Sequence, residues 1–232
     1  MSLKYMNFLL SLIFCLFPIL ASAANEKPKD NQAKLLLKSM SLRYADLKTW
    51  KAKFTQETIN PALGTNSFSE GEFAFQSPNK FRFSVLNPEA SDFISNGKEA
   101  WHVLFKNGRK NAGFVKHFKN VSTLELDRYL ILLRGVSLKN PKEEADFFKK
   151  FLVEGTTEGD VLKLKLSPKK SSEIADIIIE TKNNDKVPYL MTLVDALGVT
   201  TKIRIVGWEK VKNIDPKEFT PAIPAGSTTE TY

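Results

Sequence analysis

Between Gly71 and Phe105 large apolar and polar residues alternate, and turn residues interrupt the alternation again and again. Gly71-Glu72-Phe73-Ala74-Phe75-Gln76 is followed by Ser77-Pro78-Asn79, and Lys80-Phe81-Arg82-Phe83-Ser84-Val85 by a loop at Pro88. Asp92-Phe93-Ile94 leads through Ser95-Asn96-Gly97 to Trp101-His102-Val103-Leu104-Phe105. Successive side chains of a strand point to opposite faces. Strict alternation therefore describes half-buried strands, and the Pro/Asn and Asn-Gly breaks describe antiparallel connections. Carried straight through, the alternation puts Phe73, Phe75, Phe81, Phe83, Trp101, Val103 and Phe105 on one face and turns His102 to solvent. A face this aromatic has to be covered, either by protein alone or also by lipid.

The first residues point to export. Lys4 precedes an apolar run of 13 residues from Phe8 to Leu20, and Ala21-Ser22-Ala23 has the small-x-small form of a cleavage site. A spanning helix needs about 20 residues, so the run describes a signal peptide over 1–23 with the folded domain in 24–232. Cys15 lies inside the run behind Phe14, where lipoprotein processing requires a small residue, and it is the chain's only cysteine. Cleavage would leave an exported domain without disulfides, large enough to rely on its core. Export, rather than the net charge of +8, argues against nucleic acid as the natural partner. Anionic membrane surfaces, acidic patches of envelope proteins or polyanionic glycans remain, and the spread of the lysines along the chain also suits a merely solubilising surface.

The remaining pattern is α+β. Leu36, Met40, Tyr44 and Leu47 form one stripe of a helix from Asp30 to about Lys48, after which Trp50, Ala52 and Phe54 alternate with Lys51, Lys53 and Thr55. Lys106–Asn120 is basic and poorly patterned and reads as a loop or lid. Ser122 with Glu125 is a capping box ahead of Leu126, Leu130 and Leu133. Asn140-Pro141 with Glu143 begins another short helix containing Phe147, Phe148 and Phe151. Strands resume with Leu162, Leu164 and Leu166, then Ile177 and Ile179, then Tyr189–Val194, and then Ile203 and Ile205 after the Asp195-Ala196-Leu197-Gly198 turn. The prolines of Phe219–Gly226 describe an extended tail. Helices segregated against an antiparallel sheet, in a single domain, follow from this order.

Chemistry-bearing motifs are missing. The sequence has no Gly-x-Ser-x-Gly elbow, no phosphate-binding glycine loop and no dinucleotide fingerprint. His102 and His117 lack a second histidine or a carboxylate at ligand spacing. Glu143, Glu144 and Asp146 sit at a helix start, where the dipole alone favours them. Asn120-Val121-Ser122 matches a glycosylation sequon, but Ser122 serves better as a cap. These observations predict no enzyme, no metal and no cofactor.

The order of pieces resembles the periplasmic carriers that move lipoproteins to the outer membrane (the LolA family). The resemblance spans nearly all of 24–232. It rests on the helix leading into Trp50-Lys51-Ala52-Lys53-Phe54-Thr55-Gln56, on Glu70-Gly71-Glu72-Phe73 before Pro78-Asn79-Lys80-Phe81-Arg82-Phe83, on Ser95–Trp101, on Asp195–Gly198 and on Phe219 ahead of Pro224-Ala225-Gly226. It implies an unclosed antiparallel β-barrel, with an N-terminal helix and a short helical insert as a lid over its concave face. The implied ligand is the acyl chains of lipoproteins, lined by Phe54, Phe73, Phe75, Phe81, Phe83, Trp101, Val103, Leu162, Leu164, Ile177, Ile179, Ile203 and Ile205. Leu126, Leu130, Leu133, Arg82 and Arg128 are the implied lid residues. The implied partners are an inner-membrane lipoprotein-releasing ABC transporter and an outer-membrane acceptor, with no cofactor. Family members carry an arginine before the turn proline that holds the lid shut. Ser77 stands there in this chain, which leaves Arg82, Arg128 and Arg134 as candidates for that role. Two other readings stay open. One is the same fold acting as a lipoprotein acceptor or envelope-stress sensor, the first disfavoured by the missing lipobox. The other is a secreted hydrolase or glycan-binding module, which requires an acid-lined cleft.

Overall fold

The computed structural model describes residues 27–46, 48–121, 138, 140–182, 184 and 187–232. A helix, α1 (Lys27–Asp46), leads into six strands: β1 (Thr49–Asn60), β2 (Thr65–Gln76), β3 (Lys80–Asn87), β4 (Ser91–Asn96), β5 (Ala100–Leu104) and β6 (Phe114–Phe118). A second helix, α2 (Pro141–Lys150), runs directly into β7 (Phe151–Glu158). It is followed by β8 (Val161–Pro168), β9 (Ile174–Lys182), β10 (Pro188–Asp195), β11 (Thr200–Lys210), a 3-10 turn (Pro216–Phe219) and β12 (Thr228–Thr231).

All twelve strands belong to one sheet in the order β12-β6-β5-β4-β3-β2-β1-β11-β10-β9-β8-β7. Each described pair is antiparallel except β12 with β6. The first and second halves of the chain are joined where β1 meets β11. The sheet stays open, with β7 and β12 as its edges, and the fold is an α+β half-barrel.

Register decides what each face carries. Opposite Trp50, Ala52 and Phe54 of β1 lie Phe75, Phe73 and Gly71 of β2, and Phe73 and Phe75 face Phe83 and Phe81 of β3. On the other side Ile203 and Ile205 pair with Gln56 and Phe54, Met191 pairs with Ile203 and Ile179, and Leu164 with Ile179. One buried cluster therefore runs along the inner face through β1–β5 and β7–β11, ten of the twelve strands. α1 lies against β7 and β8 and adds Ala33, Leu37 and Met40 to that cluster. The expected stripe is thus rotated: Met40 is buried and Leu36 only half-buried, while the side chain of Tyr44 and all of Leu47 lie outside the described residues.

α2 forms where its caps predict. Asn140 Oδ1 accepts from the backbone N–H groups of Lys142 and Glu143, with Pro141 in the first turn. Phe147 and Phe148 pack against the core, but Phe151 already belongs to β7, its ring stacked on Phe147 at 5.0 Å. One region differs from expectation: Lys106–Asn120 contains strand β6, while the Phe219–Gly226 tail carries no helix or strand beyond Phe219, lying between the 3-10 turn and β12. β6 is held from both sides, by β5 and by the parallel β12.

The outer face has its own smaller core, in which Ala74, Ile214 and Phe219 are buried together. The 3-10 turn carrying Phe219 touches β3 and β4, so the C-terminal segment straps the outside of the first half of the sheet.

Candidate functional site

Among the described residues, the inner face carries the larger of the two buried clusters. Phe54 and Phe83 stack at 4.3 Å, Trp50 meets Phe73 edge to face at 4.6 Å, and Trp208 meets Trp50 at 4.3 Å. Phe81 and Phe93 extend the group at 5.0 Å, and His102 meets Phe93 edge to face at 5.8 Å. The rings exclude solvent: Phe81 is 0 % exposed and Phe83 5 %. Gly71 is required within this stack, because a Cβ there would lie 2.5 Å from Phe54 Cζ and 2.0 Å from the Ser84 carbonyl oxygen. Beyond β1 the lining changes from aromatic to aliphatic, with Ile203, Ile205, Met191, Ile179, Ile177 and Leu164 all buried.

Of the thirteen residues expected on this face, Phe54, Phe73, Phe75, Phe81, Phe83, Leu164, Ile177, Ile179, Ile203 and Ile205 belong to the one inner cluster. Leu162 is buried at the end of the same row, opposite Thr181. Trp101 and Val103 are the exceptions. Phe93 pairs with His102, whereas Ile94 pairs with Trp101 and Asp92 with Val103. Four residues, Asn96–Glu99, separate the paired Ser95 and Ala100. That even-numbered connection reverses the parity of β5 relative to a straight reading of the alternation. Trp101 and Val103 therefore face outward, Trp101 stacked on His117 at 5.1 Å, and His102 rather than Trp101 points inward. Phe105 lies beyond the end of β5. Burial, aided by the nearby Lys116, lowers the His102 pKa from its ordinary value of 6.5.

Arg82 also faces outward, away from the inner cluster. Its Nη2 donates to Asp92 Oδ2 at 2.6 Å, its Nε to Ser84 Oγ at 3.0 Å and its Nη1 to the Glu218 carbonyl at 3.3 Å. Arg109 Nη1 donates to the same carboxylate oxygen at 2.6 Å, and Arg109 Nη2 to the Val85 carbonyl. Asp92 is 1 % exposed, so this is a buried carboxylate held between two guanidiniums. It joins β3, β4, the loop after β5 and the C-terminal strap, an assembly that sequence spacing does not reveal. Lys51 Nζ adds a 2.7 Å contact to Glu218. Leu126, Arg128, Leu130, Leu133 and Arg134 lie outside the described residues. On either side of them, the Val121 N–H donates to the Lys98 carbonyl and the Leu138 N–H to Ser41 Oγ on α1.

Comparison with known proteins agrees with this architecture. Residues 45–222 match the family described as outer membrane lipoprotein carrier protein LolA. The chain is 24 % identical over 173 residues to an outer-membrane lipoprotein carrier protein of Bordetella avium, covering 75 % of this chain and 76 % of the relative. It is 25 % identical over 183 residues to the protein of that name from Pseudomonas aeruginosa, covering 77 % and 79 %. Among solved structures, an uncharacterized conserved protein from Thermus thermophilus superposes with a TM-score of 0.51 at 13 % identity, covering 84 % of this chain and 98 % of that one; this likeness concerns the fold alone. A family match over most of the sheet, added to an open half-barrel with one continuous apolar inner face, leads to one conclusion: the chain belongs to the outer membrane lipoprotein carrier protein LolA family.

Proposed function

We propose that the chain is exported to the periplasm, is cut after Ala23, and shields the acyl chains of lipoproteins there while carrying them from the inner to the outer membrane. It receives cargo from an inner-membrane ABC transporter and delivers it to an outer-membrane acceptor, making and breaking no covalent bond. The single observation that supports this reading is the apolar inner face that continues through ten strands. A core of ordinary size does not need such an extent, whereas an acyl chain does.

The energetics suit a carrier. Each methylene withdrawn from water is worth about 0.8 kcal/mol, so one long chain represents on the order of 10 kcal/mol. At β7 and β8 the inner face is already covered by side chains of α1 and α2, and cargo entering there must exchange with those apolar groups rather than fill empty space. Net affinity is then the difference between two similar burials, and that is what permits release. The rigid side of the exchange is the hydrogen-bonded sheet. The movable side is α1, which rests on β7 and β8 and adds Ala33, Leu37 and Met40 to the inner cluster.

Site-specific photo-crosslinking tests the reading. A crosslinker at Phe83 or Leu164 is expected to capture a triacylated lipopeptide held in a soluble complex, and one at Trp101 to capture none. Failure to form a soluble complex, or equal capture from both faces, refutes it.

A further inference from the structure

A second feature lies at the corner where α2, β7, β8 and β9 meet. α2 passes into β7 without a loop, and the Lys169 N–H donates to the Lys150 carbonyl at 2.8 Å, next to the Phe151–Pro168 pair. This register sets two dipeptides side by side, Lys149-Lys150 and Lys169-Lys170. Lys149 is engaged by Asp146 at 3.2 Å, and Lys169 Nζ caps the helix end by donating to the Phe148 carbonyl at 2.8 Å. Among the described residues, neither Lys150 nor Lys170 has a charged partner. Both are exposed and both line a cavity of about 640 Å³.

The floor of that cavity is different in kind. It consists of Phe151, Ile174 and Ile177, and Ile177, which is 0 % exposed, belongs with Phe151 to the inner-face cluster. Hydroxyls of Ser171 and Ser172 lie beside the lysines, the latter holding the turn by accepting from the Ile174 N–H at 3.0 Å. The lining includes one carboxylate, Glu173, against three lysines. A cationic rim above an apolar floor that continues into the core is the arrangement an amphiphile with one negative head requires.

We propose that this corner is a head-group site for an anionic amphiphile, a phosphate or carboxylate head between Lys150 and Lys170 with its aliphatic part against Phe151, Ile174 and Ile177. The proposal rests on the carrier reading in one respect, namely that the tail enters the same inner face that receives acyl cargo. It adds that the protein meets anionic lipid at this end of the half-barrel. A helix C-terminus alone accounts for Lys149 and Lys169 but leaves Lys150, Lys170 and the apolar floor without a role.

The test is a titration of the purified protein with dihexanoyl-phosphatidylglycerol, dihexanoyl-phosphatidylcholine and inorganic phosphate, followed by calorimetry. Each lysine near an anionic head contributes about fivefold in affinity at moderate salt. The wild type is therefore expected to prefer phosphatidylglycerol over phosphatidylcholine by roughly twentyfold. Lys150→Ala/Lys170→Ala is expected to abolish the preference, and Lys150→Arg/Lys170→Arg to retain it. Inorganic phosphate binding as tightly as the lipid overturns the proposal, because the tail then contributes nothing. Equal binding of the two lipids, or an unchanged preference in the double alanine variant, overturns it as well. A parallel measurement with triacylated lipopeptide separates the two readings. Lipopeptide shielding without the head-group preference sinks only the corner site, and the preference without shielding sinks the carrier reading.

Discussion

Gly155 is the point where α1 rests on the sheet, and filling it is the most direct perturbation of the cover. It follows Phe151 and Val153 on the inner side of β7, and its backbone lies outside the left-handed region, so any L-residue suits it conformationally. A Cβ there would stand 3.0 Å from Ala33 Cα, 3.1 Å from Ala33 Cβ and 3.6 Å from Ala33 N. Ordinary carbon contacts lie at about 3.5–4.0 Å, so the helix has to retreat by roughly 0.5–1 Å. Forcing a methyl into such a contact costs about 1–3 kcal/mol, partly offset by the roughly 0.5–1 kcal/mol that alanine gains over glycine in a strand. Gly155→Ala is therefore expected to lose about 1 kcal/mol and Gly155→Val about 2–3 kcal/mol, and a chain of this size shifts its Tm by about 2–4 °C per kcal/mol. The loss falls on the α1 contact, so uptake of a fluorescent lipopeptide should quicken in the same order. Ala33→Gly supplies the control. Alone it costs about 1 kcal/mol in helix propensity, but combined with Gly155→Ala it moves the methyl from helix to strand, and a favourable coupling of about 1 kcal/mol is expected from the double-mutant cycle. A coupling below about 0.3 kcal/mol, or Gly155→Val melting and loading like the wild type, refutes the placement of α1 as the movable cover.

Asp92→Asn removes the charge that Arg82 and Arg109 share; because both guanidiniums keep some solvent, a loss of about 3 kcal/mol is expected, the low end for a broken buried pair, and a urea unfolding curve checks it. Phe83→Ala is expected to cost about 3–4 kcal/mol and to weaken lipopeptide retention, whereas Trp101→Ala on the outer face should leave retention unchanged; loss of retention in both refutes the assignment of faces. His102 binds protons less readily folded than unfolded, so its contribution is fully present above pH 6.5 and declines as pH falls from there towards its lowered folded pKa. His102→Gln should accordingly flatten the fall in Tm between pH 7.5 and 5.5, and an equally steep fall in the variant shows that another group is responsible.

Elements that encode themselves locally were legible. The Asn140-Pro141-x-Glu143 start of α2, the alternation of β1–β3 and the Leu162-Leu164-Leu166 row each carry caps or period-two patterns that tertiary context did not need to override. The inner residues on those strands were therefore identifiable from their parity. β6 and β12 were not, because the β6–β12 pair joins segments distant in sequence, Phe114–Phe118 and Thr228–Thr231, and neither is long enough to show its own period. The same holds for the Arg82–Asp92–Arg109 assembly, which draws on β3, β4 and the loop after β5.

The displaced pair, Trp101 and Val103, shows how the fold uses its turns. Alternation states which residues share a face within a strand, but the number of residues in the connection states whether the next strand keeps that face. Lys80 pairs with Asn96, with β3 and β4 keeping odd residues inside, and the four-residue Asn96–Glu99 connection then reverses the rule for β5. The reversal brings His102 in beside Phe93 and sends Trp101 out to His117. Ile94, Val103 and Val115 are buried on that outer side, and Phe219 lies buried beneath the strap against β3 and β4. One half of the sheet is thus clamped from outside by the C-terminal strap, while α1 lies on β7 and β8 of the other half, with Gly155 against Ala33. Strength on the outer side and a thin contact on the inner side would let the cover exchange with an acyl chain, as the proposed carrier role requires, while the sheet keeps its shape.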